Sequence, residues 1–329
     1  MNTAKLRLVH ALTALTLGLI GACVQAAGFQ QGLAADPVGK PLQIGIWYPS
    51  PATPAPLSVG PTTMNVAVNA PVRGTALPLV VISHGTGGSF LGHFDTALAL
   101  ADAGFVVVAV THAGDNYADQ SRSVDILDRP RQVSRVIDHM LSTWEGRAAI
   151  DSSRIGIFGF SAGGFTALAS IGGIADLFKV GPMCARYPQD FACRLLAKQT
   201  APFAVPAPAD VRDGRIRAAV VAAPALGYAF APDGLAAVTV PVQLWRAEND
   251  VILPHPRYAE AVRLALPQPP DYRVVPGAGH FDFMAPCGPA LASIAPDICS
   301  SAPDFDRARF HVEFNAQVVA FFAQSLAGR

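Results

Sequence analysis

The sequence has few charged residues and no excess of either sign. Lysine and arginine together number 24, aspartate and glutamate also number 24, and charged residues make up 15% of the 329 positions. A formal net charge of zero excludes the basic footprint that proteins use to neutralise nucleic-acid phosphates. Hydrophobic residues make up 51%, which is ample for a core and excludes global disorder. The length suits one large or two modest domains.

Cysteine is scarce, and its spacing excludes a cysteine metal site. The five cysteines are Cys23, Cys184, Cys193, Cys287 and Cys299. No pair has Cys-x-x-Cys spacing and no histidine cluster lies beside one, so we expect no metal ligand here. Phosphate loops and dinucleotide glycine fingerprints are also missing, and no cofactor is expected. The last four cysteines form two local pairs, which in an exported chain predict the disulfides Cys184–Cys193 and Cys287–Cys299, with buried free thiols as the alternative.

The first 26 residues have the order of a secretory signal peptide. A basic start precedes the mostly apolar run from Leu8 to Ile20, and small residues follow. The apolar run is short for a bilayer span, so we expect no membrane span and cleavage after Ala26 or Ala27. The alternative is a lipoprotein, because the four residues ending in Cys23 resemble a bacterial lipobox. Either way the chain is expected to be exported, to the periplasm or beyond.

Strand-like and helix-like segments alternate from residue 77 onward. The predicted strands are 77–83, 105–110, 154–160, 216–223, 240–245 and 272–276, and the predicted helices are 94–103, 129–144, 166–170, 255–266 and 310–326. This alternation predicts a single α/β domain over 27–329, with a mostly parallel central sheet and helices on both faces. Segments 42–49 and 64–68 are expected to be antiparallel edge strands. The proline-rich segment 176–215 is long for a loop in a compact domain and is expected to be a cap-like insertion over the functional site.

The most informative stretch is Gly159-Phe160-Ser161-Ala162-Gly163. It joins a predicted strand to a predicted helix, and Gly-x-Ser-x-Gly in this context presents an exposed serine hydroxyl on a strained turn. Glycines are needed on both sides because a Cβ would collide with the neighbouring strand or helix. The first N–H groups of the helix face the position where negative charge would develop. A glycine-rich turn whose serine merely caps a helix is the alternative.

A serine hydroxyl at neutral pH needs an adjacent base to become a nucleophile. His280 directly follows the last predicted strand and is presented by small residues, so it is the predicted base rather than an ordinary loop histidine. Asp250 lies between Ser161 and His280 in chain order and is predicted to orient the imidazole. Glu248 is the competing carboxylate.

An oxyanion that forms at such a site needs two N–H donors. We predict the amide of Ala162, which follows the nucleophile, and the amide of Thr86 in the glycine-rich loop after strand 77–83. The sequence allows two roles for each of two other features. His112-Ala113-Gly114-Asp115 either lines a pocket or forms a turn, and Asp282 either holds the His280 loop or lies at the rim.

These motifs together resemble the α/β-hydrolase fold. Within it the chain most resembles the bacterial dienelactone-hydrolase-like proteins related to platelet-activating-factor acetylhydrolase, over roughly residues 40 to 325. Two residues depart from these relatives. Ser161 stands where dienelactone hydrolases have cysteine, and Phe160 stands where the acetylhydrolases have histidine. The resemblance therefore implies a serine hydrolase but not a particular named substrate.

The expected function is hydrolysis of small-molecule carboxylic esters through Ser161, His280 and Asp250, with an acyl-enzyme intermediate. An apolar pocket formed by Phe160, Trp245 and Phe281 would favour short acyl or aromatic esters. Two alternatives remain open. The same residues can cleave amides or peptides, or the fold can serve a non-catalytic ligand-binding protein.

Overall fold

The computed structural model describes residues 26–199 and 204–328. The predicted signal peptide and Cys23 therefore lie outside the described residues, apart from Ala26, which begins the first strand. In the part of the chain that is described, no helix is both long and apolar enough to cross a membrane.

Ten strands within the described residues form one sheet. They are β1 (Ala26–Ala34), β2 (Leu42–Ser50), β3 (Ala55–Val59), β4 (Thr62–Val68), β5 (Leu77–Ser83), β6 (Val106–Thr111), β7 (Ile150–Phe160), β8 (Ile216–Ala222), β9 (Val242–Ala247) and β10 (Asp271–Val275). Their order across the sheet is β10-β9-β8-β7-β5-β6-β2-β1-β4-β3. The strands from β10 to β6 run parallel, whereas β2 is antiparallel to β6 and β1 is antiparallel to β2. The predicted mostly parallel sheet is confirmed.

Helices cover both faces of this sheet. They are α1 (Phe94–Asp102), α2 (Asp128–Ser142), α3 (Ala162–Ser170), α4 (Val180–Arg186), α5 (Phe191–Ala197), α6 (Ala259–Ala265), α7 (Pro289–Ile294), α8 (Pro296–Cys299) and α9 (Arg307–Ser325). Leu79 and Val81 of β5 join a core with α2, α3 and α6, while Val80 and Ile82 join a second core with α1 and α9. A strand that is buried on both faces needs an almost continuous apolar sequence, and the apolar sequence of β5 is what allowed this strand to be predicted.

The start of the chain differs from the expectation in three ways. Strands β1 and β3 were not predicted, and β2 lies inside the sheet between β6 and β1 rather than at an edge. Strand β4, expected as an antiparallel edge strand, lies between β1 and β3 and is parallel to β1. Strand β1 has Gln30 and Gln31 at its centre, so it offers no apolar run to recognise. Pairing with β2 nevertheless buries its Phe29.

The segment 176–215 contains α4 and α5, which the disulfide Cys184–Cys193 joins. Asp190 precedes α5 and accepts hydrogen bonds from Arg257 Nη2 at 3.0 Å and from the Tyr258 hydroxyl at 2.9 Å. Arg257 and Tyr258 lie in the connection between β9 and α6. The segment is therefore anchored to the connection that carries Asp250, and its role as a cap over the site remains a prediction.

Candidate active site

Ser161 forms the turn between a strand and a helix. Strand β7 ends at Phe160 and α3 begins at Ala162. The φ of 56° and ψ of −116° at Ser161 are strained for a residue with a side chain, and such strain persists where the surroundings enforce it. Here the enforcing contacts are two hydrogen bonds of 2.9 Å, from Ser161 N–H to the Ala222 carbonyl and from Ala225 N–H to the Ser161 carbonyl.

The two glycines of the motif permit the close approach of backbone that this turn requires. A Cβ on Gly163 would lie 1.9 Å from the Ser83 carbonyl oxygen, and a Cβ on Gly159 would lie 2.0 Å from the Gly163 carbonyl oxygen. Neither backbone oxygen can move aside as a flexible side chain would. The first turn of α3 therefore packs directly on the end of β5, which brings Ser161 next to the loop that follows β5.

Ser161, His280 and Asp250 form a continuous row of hydrogen bonds. The His280 Nε2 atom lies 3.1 Å from Ser161 Oγ, and His280 Nδ1 lies 2.8 Å from Asp250 Oδ2. Because the carboxylate can only accept, Nδ1–H donates to it, which leaves Nε2 free to accept the serine proton. All three residues are at most 9% exposed, so these bonds are largely shielded from water.

The loop after β9 fixes the Asp250 carboxylate. Its Oδ1 atom accepts the N–H groups of Ile252 at 2.9 Å and Leu253 at 2.7 Å, so Oδ2 is left for His280. Glu248, the competing carboxylate, accepts the Gly277 N–H at 2.9 Å and is exposed. The structure thus brings Asp250, and not Glu248, to His280.

Asp282 holds the loop that presents His280. Its Oδ2 atom accepts the Gly279 N–H at 2.7 Å, and its Oδ1 atom accepts Arg307 Nε at 3.0 Å and the Ser301 hydroxyl at 2.5 Å. Asp282 is 2% exposed. Of the two roles left open for it, the contacts favour holding the loop over lying at the rim.

The two predicted oxyanion donors belong to residues beside Ser161 and beside Gly85, which approaches Ser161 closely. Ala162 is the first residue of α3, so its N–H belongs to the helix turn that lacks intrahelical acceptors. Thr86 follows Gly85, whose Cβ, if present, would lie 3.2 Å from the Ser161 Cβ. Within the described residues the Thr86 N–H has no backbone or side-chain acceptor. Both amides therefore remain available for a ligand oxygen.

The three predicted pocket residues have different surroundings. The Phe160 ring lies 4.8 Å from the His280 ring and is buried, so it supports the imidazole from within the core. The Phe281 ring lies 5.2 Å from the His280 ring, edge to face, and is half-buried. Trp245 is not at the site. It packs against Phe314 of α9 at 4.9 Å, and its indole N–H donates to Gln243, because its position in β9 faces the α1–α9 core.

Two buried histidines, His84 and His112, lie against each other behind the loop after β5, a contact that the sequence did not predict. His84 Nε2 accepts the His112 N–H at 3.0 Å and its Nδ1–H donates to the Gly85 carbonyl. His112 Nδ1–H donates to Gln132, and its Nε2 accepts the Ser83 hydroxyl at 2.9 Å. Burial, reinforced by the nearby Arg129 charge, lowers the pKa of both histidines well below the usual value, so both are neutral. The stretch from His112 to Asp115 is thus a buried turn rather than a pocket lining.

The four remaining cysteines are joined as Cys184–Cys193 and Cys287–Cys299. The second disulfide closes the segment just after the His280 loop. Two carbonyls at the end of that segment, Ile298 and Ser300, accept hydrogen bonds from Arg307. Arg307 therefore binds both Asp282 and the two carbonyls that flank Cys299 of this disulfide.

Two other features lie away from the triad. A surface cavity of about 510 Å³ is lined by Gln30 and by residues of the segments that precede β5 and β7, among them Val72 and Trp144. It therefore lies towards the amino ends of these strands, opposite the edge that carries Ser161. Among the described residues, no group of three or more His, Cys, Asp or Glu side chains is arranged to hold a metal ion.

Comparisons with known proteins agree with this architecture. Residues 92–185 match the model of the prolyl oligopeptidase family, and residues 54–125 match that of platelet-activating factor acetylhydrolase, isoform II. No curated protein matches the sequence. The structure is similar to a ferulic acid esterase from Streptomyces cinnamoneus, with a TM-score of 0.63 and 20% identity over 95% of this chain and 93% of that chain.

The predicted α/β-hydrolase fold is confirmed by the sheet and by this structural likeness. The match of residues 54–125 agrees with the resemblance to platelet-activating-factor acetylhydrolase that the motifs indicate. The two family models together cover the region from β3 to α4, which includes Ser161 but neither Asp250 nor His280.

Proposed function

Starting from the α/β-hydrolase fold, we propose that the chain is an exported serine hydrolase that cleaves carboxylic esters through Ser161, His280 and Asp250. The observation that carries the proposal is the row of hydrogen bonds from Ser161 Oγ through His280 to Asp250, at 3.1 Å and 2.8 Å. The serine lies on a strained turn at the carboxyl end of the parallel strands. The row has the geometry of a nucleophile, a base and a carboxylate that orients the base.

The proposed reaction has two steps. Ser161 Oγ forms a bond to the acyl carbon while its proton moves to His280 Nε2, and the carbonyl oxygen becomes an oxyanion bound by the Thr86 and Ala162 amides. When the ester bond breaks, the leaving alcohol takes the proton from His280. Water then gives a proton to His280 and attacks the acyl carbon; as the bond from that carbon to Ser161 Oγ breaks, His280 returns the proton to Oγ and the carboxylic acid leaves. Asp250 stabilises the imidazolium in both steps.

We propose small esters with short acyl or aromatic groups as substrates, including soluble fragments of polyesters. The half-buried Phe281 beside His280 offers an apolar surface for such groups. The structural likeness to a ferulic acid esterase supports including aromatic acyl esters. No cofactor is needed for this chemistry.

The proposed location is the periplasm or the exterior. Two disulfides are consistent with an oxidising compartment. The alternative, a lipoprotein anchored through Cys23, is distinguished by the intact mass of the mature protein, since a diacylated amino terminus is heavier than a chain that starts near Ala27.

The first experiment measures hydrolysis of p-nitrophenyl esters with acyl chains from acetate upward. We expect turnover by the wild type and a loss of at least about 1000-fold in Ser161→Ala. Ser153→Ala is the matched control, because its exposed hydroxyl bonds only to Asp151 among the described residues. Absence of turnover on every ester, in a folded protein that also fails to react with a fluorophosphonate probe, would contradict the proposal and favour a non-catalytic binding protein.

Amide or peptide hydrolysis is the second candidate, and the match of residues 92–185 to the prolyl oligopeptidase family favours testing it. Esters and amides use the same residues, so the geometry of the triad does not separate them. Parallel assays of p-nitroanilides and p-nitrophenyl esters distinguish amide from ester hydrolysis. Comparable kcat/KM values for both would favour the amidase.

A further inference from the structure

The loop His84–Gly88, here called the oxyanion loop, carries the Thr86 amide and is held from behind by a buried ion pair. Arg129 lies in the first turn of α2 and Asp115 lies in the turn after β6, and each side chain is 3% exposed. One terminal nitrogen of the guanidinium donates to Asp115 Oδ2, and the other donates to the His84 carbonyl. Arg129 therefore ties Asp115 to the first residue of the oxyanion loop.

Asp115 holds the other end of the same loop. Its Oδ1 atom accepts the Gly87 N–H at 3.0 Å and the Ser123 hydroxyl at 2.8 Å. The Gly85–Thr86 peptide is thus flanked by two residues that bind the same ion pair. His84 binds it through its carbonyl and Gly87 through its N–H. A turn bond of 3.1 Å from Gly88 N–H to the Gly85 carbonyl closes the loop. Fixing both ends fixes the orientation of the peptide between them.

Stability alone is a weak explanation for this pair. Removing two charges from water costs about as much as their attraction returns, so a buried ion pair adds little that apolar side chains would not add. Its benefit lies instead in charge-assisted hydrogen bonds with a defined direction. An arginine fork binds a carboxylate and a carbonyl at once in a fixed planar geometry, whereas the donors of a lysine ammonium rotate freely.

A second arginine–aspartate pair on the same helix provides a natural comparison. Arg131 donates to Asp36 Oδ1 at 2.5 Å and to Asp36 Oδ2 at 2.9 Å. Asp36 lies between β1 and β2, and its side chain is 1% exposed. Both pairs join an arginine of α2 to an aspartate carboxylate, although the Arg131 side chain is 29% exposed, and among the described contacts the Asp36 pair has none with the oxyanion loop.

We propose that Asp115 and Arg129 are positioning residues that hold the Thr86 N–H in the orientation needed to bind the oxyanion. This inference rests on the proposed function, because it assigns a role within that reaction. It predicts that damage to the pair lowers kcat more than it raises KM, since oxyanion donors act mainly in the transition state.

The test compares Asp115→Asn with Asp36→Asn. Asparagine keeps an oxygen for the Gly87 N–H, but its neutral amide cannot hold the Arg129 fork. We expect kcat on p-nitrophenyl acetate to fall by about 10- to 100-fold with little change in KM, less than the roughly 10²–10³-fold loss on deleting an oxyanion donor. Asp36→Asn should keep the wild-type kcat. An unchanged kcat in Asp115→Asn, or an equal loss in Asp36→Asn, would overturn the inference.

Two further measurements keep the test decisive. If Asp115→Asn does not fold, the double variant Asp115→Asn with Arg129→Gln avoids an unpaired buried charge and should show the same loss of kcat. Hydrogen–deuterium exchange of peptides covering residues 84–91 gives a readout that is independent of catalysis. Faster exchange in the Asp115 variants but not in Asp36→Asn supports the inference, and equal exchange overturns it. A wild type that is inert on every ester would remove the proposed function, and the exchange result would still decide whether Asp115 holds the loop.

Discussion

Asp250 and Glu248 are two carboxylates in one loop, and only one of them reaches a histidine. Asp250 is buried, is fixed by two backbone N–H groups and lies 2.8 Å from His280 Nδ1. Glu248 is exposed and binds the Gly277 N–H. The pair therefore offers a controlled test of which carboxylate supports catalysis.

We predict that Asp250→Asn lowers kcat by about 10³- to 10⁴-fold, because an asparagine N–H facing Nδ1 favours the tautomer that cannot accept the serine proton. Glu248→Gln should leave kcat unchanged, because the amide oxygen can still accept the Gly277 N–H. Steady-state hydrolysis of p-nitrophenyl acetate measures both. A large loss in the Glu248 variant, with activity retained in Asp250→Asn, would reverse the assignment.

At the residue scale, the sequence predicted the groups that chemistry demands and missed those that only packing defines. Ser161, His280 and Asp250 follow strand ends in the order that the sheet requires, so motif and chain order were enough to find them. Trp245 was misjudged because an apolar strand buried on both faces does not reveal which face a given residue occupies. Arg129 was missed although it stands on the buried side of α2, where a charged residue needs a partner.

At the scale of elements, the loop that presents His280 depends on contacts far along the chain. Asp282 binds Arg307 at the start of α9, and Arg307 also binds the carbonyls of Ile298 and Ser300. The disulfide Cys287–Cys299 closes the segment that carries these carbonyls. The other disulfide, Cys184–Cys193, encloses Asp190, which accepts hydrogen bonds from Arg257 and Tyr258, but among the described contacts its ring has no hydrogen bond to the loop that carries His280.

The two disulfides are therefore expected to differ in their effect on activity while contributing similarly to stability. They close rings of similar size, with sequence separations of 9 and 12, so replacing either pair by serine should cost about 3 kcal/mol of unfolding free energy. Only Cys287→Ser with Cys299→Ser should also lower kcat, by roughly tenfold, because His280 becomes less well positioned. Denaturant unfolding and ester hydrolysis measure the two effects. Equal kcat values for the two double variants would contradict this reading.

The elements that sequence could reveal are those whose burial is complete. Strands β5 and β6 and the second half of β7 are apolar runs, and each of the three strands was predicted within a few residues. Strands β1 and β3 escaped prediction because neither has an apolar run or a regular alternation of polar and apolar residues. The helix expected from 255 begins only at Ala259, since the nearby prolines disfavour helical backbone in the residues before them.

At the scale of the whole molecule, the two cores enclose several ionisable groups with no access to water. His84 and His112 lie between the oxyanion loop and α2, and His93 packs on Phe158 and Phe160 in the other core. Burial lowers the pKa of His93 to about 4, and it lowers the pKa of His84 and His112 well below the usual value. In the folded protein these three histidines are therefore neutral at pH values where an unfolded chain would protonate them.

The consequence is a loss of stability in mild acid. Below a pH of about 6.5 the unfolded chain binds protons that the folded protein cannot, so the free energy of unfolding falls as the pH falls. At about 1.4 kcal/mol for each unit of pKa difference, His93 alone removes about 3 kcal/mol between pH 6.5 and 4. The carboxylates with lowered pKa, such as Asp36 and Asp95, lose their contribution only below about pH 4, so the two effects occupy separate windows.

We predict that His93→Phe reduces this acid sensitivity. Phenylalanine keeps the ring contacts with Phe158 and Phe160 and removes a buried Nδ1 that has no partner among the described residues. Denaturant unfolding at pH 7.5, 6.5, 5.5 and 4.5 should give a slope smaller than that of the wild type by about 1.4 kcal/mol per pH unit below 6.5. His255→Gln is the control, because it removes a histidine that is exposed rather than buried in either core. A wild type whose stability is constant from pH 7.5 to 4.5 would contradict the prediction, since protonation of the buried histidines would then carry no cost.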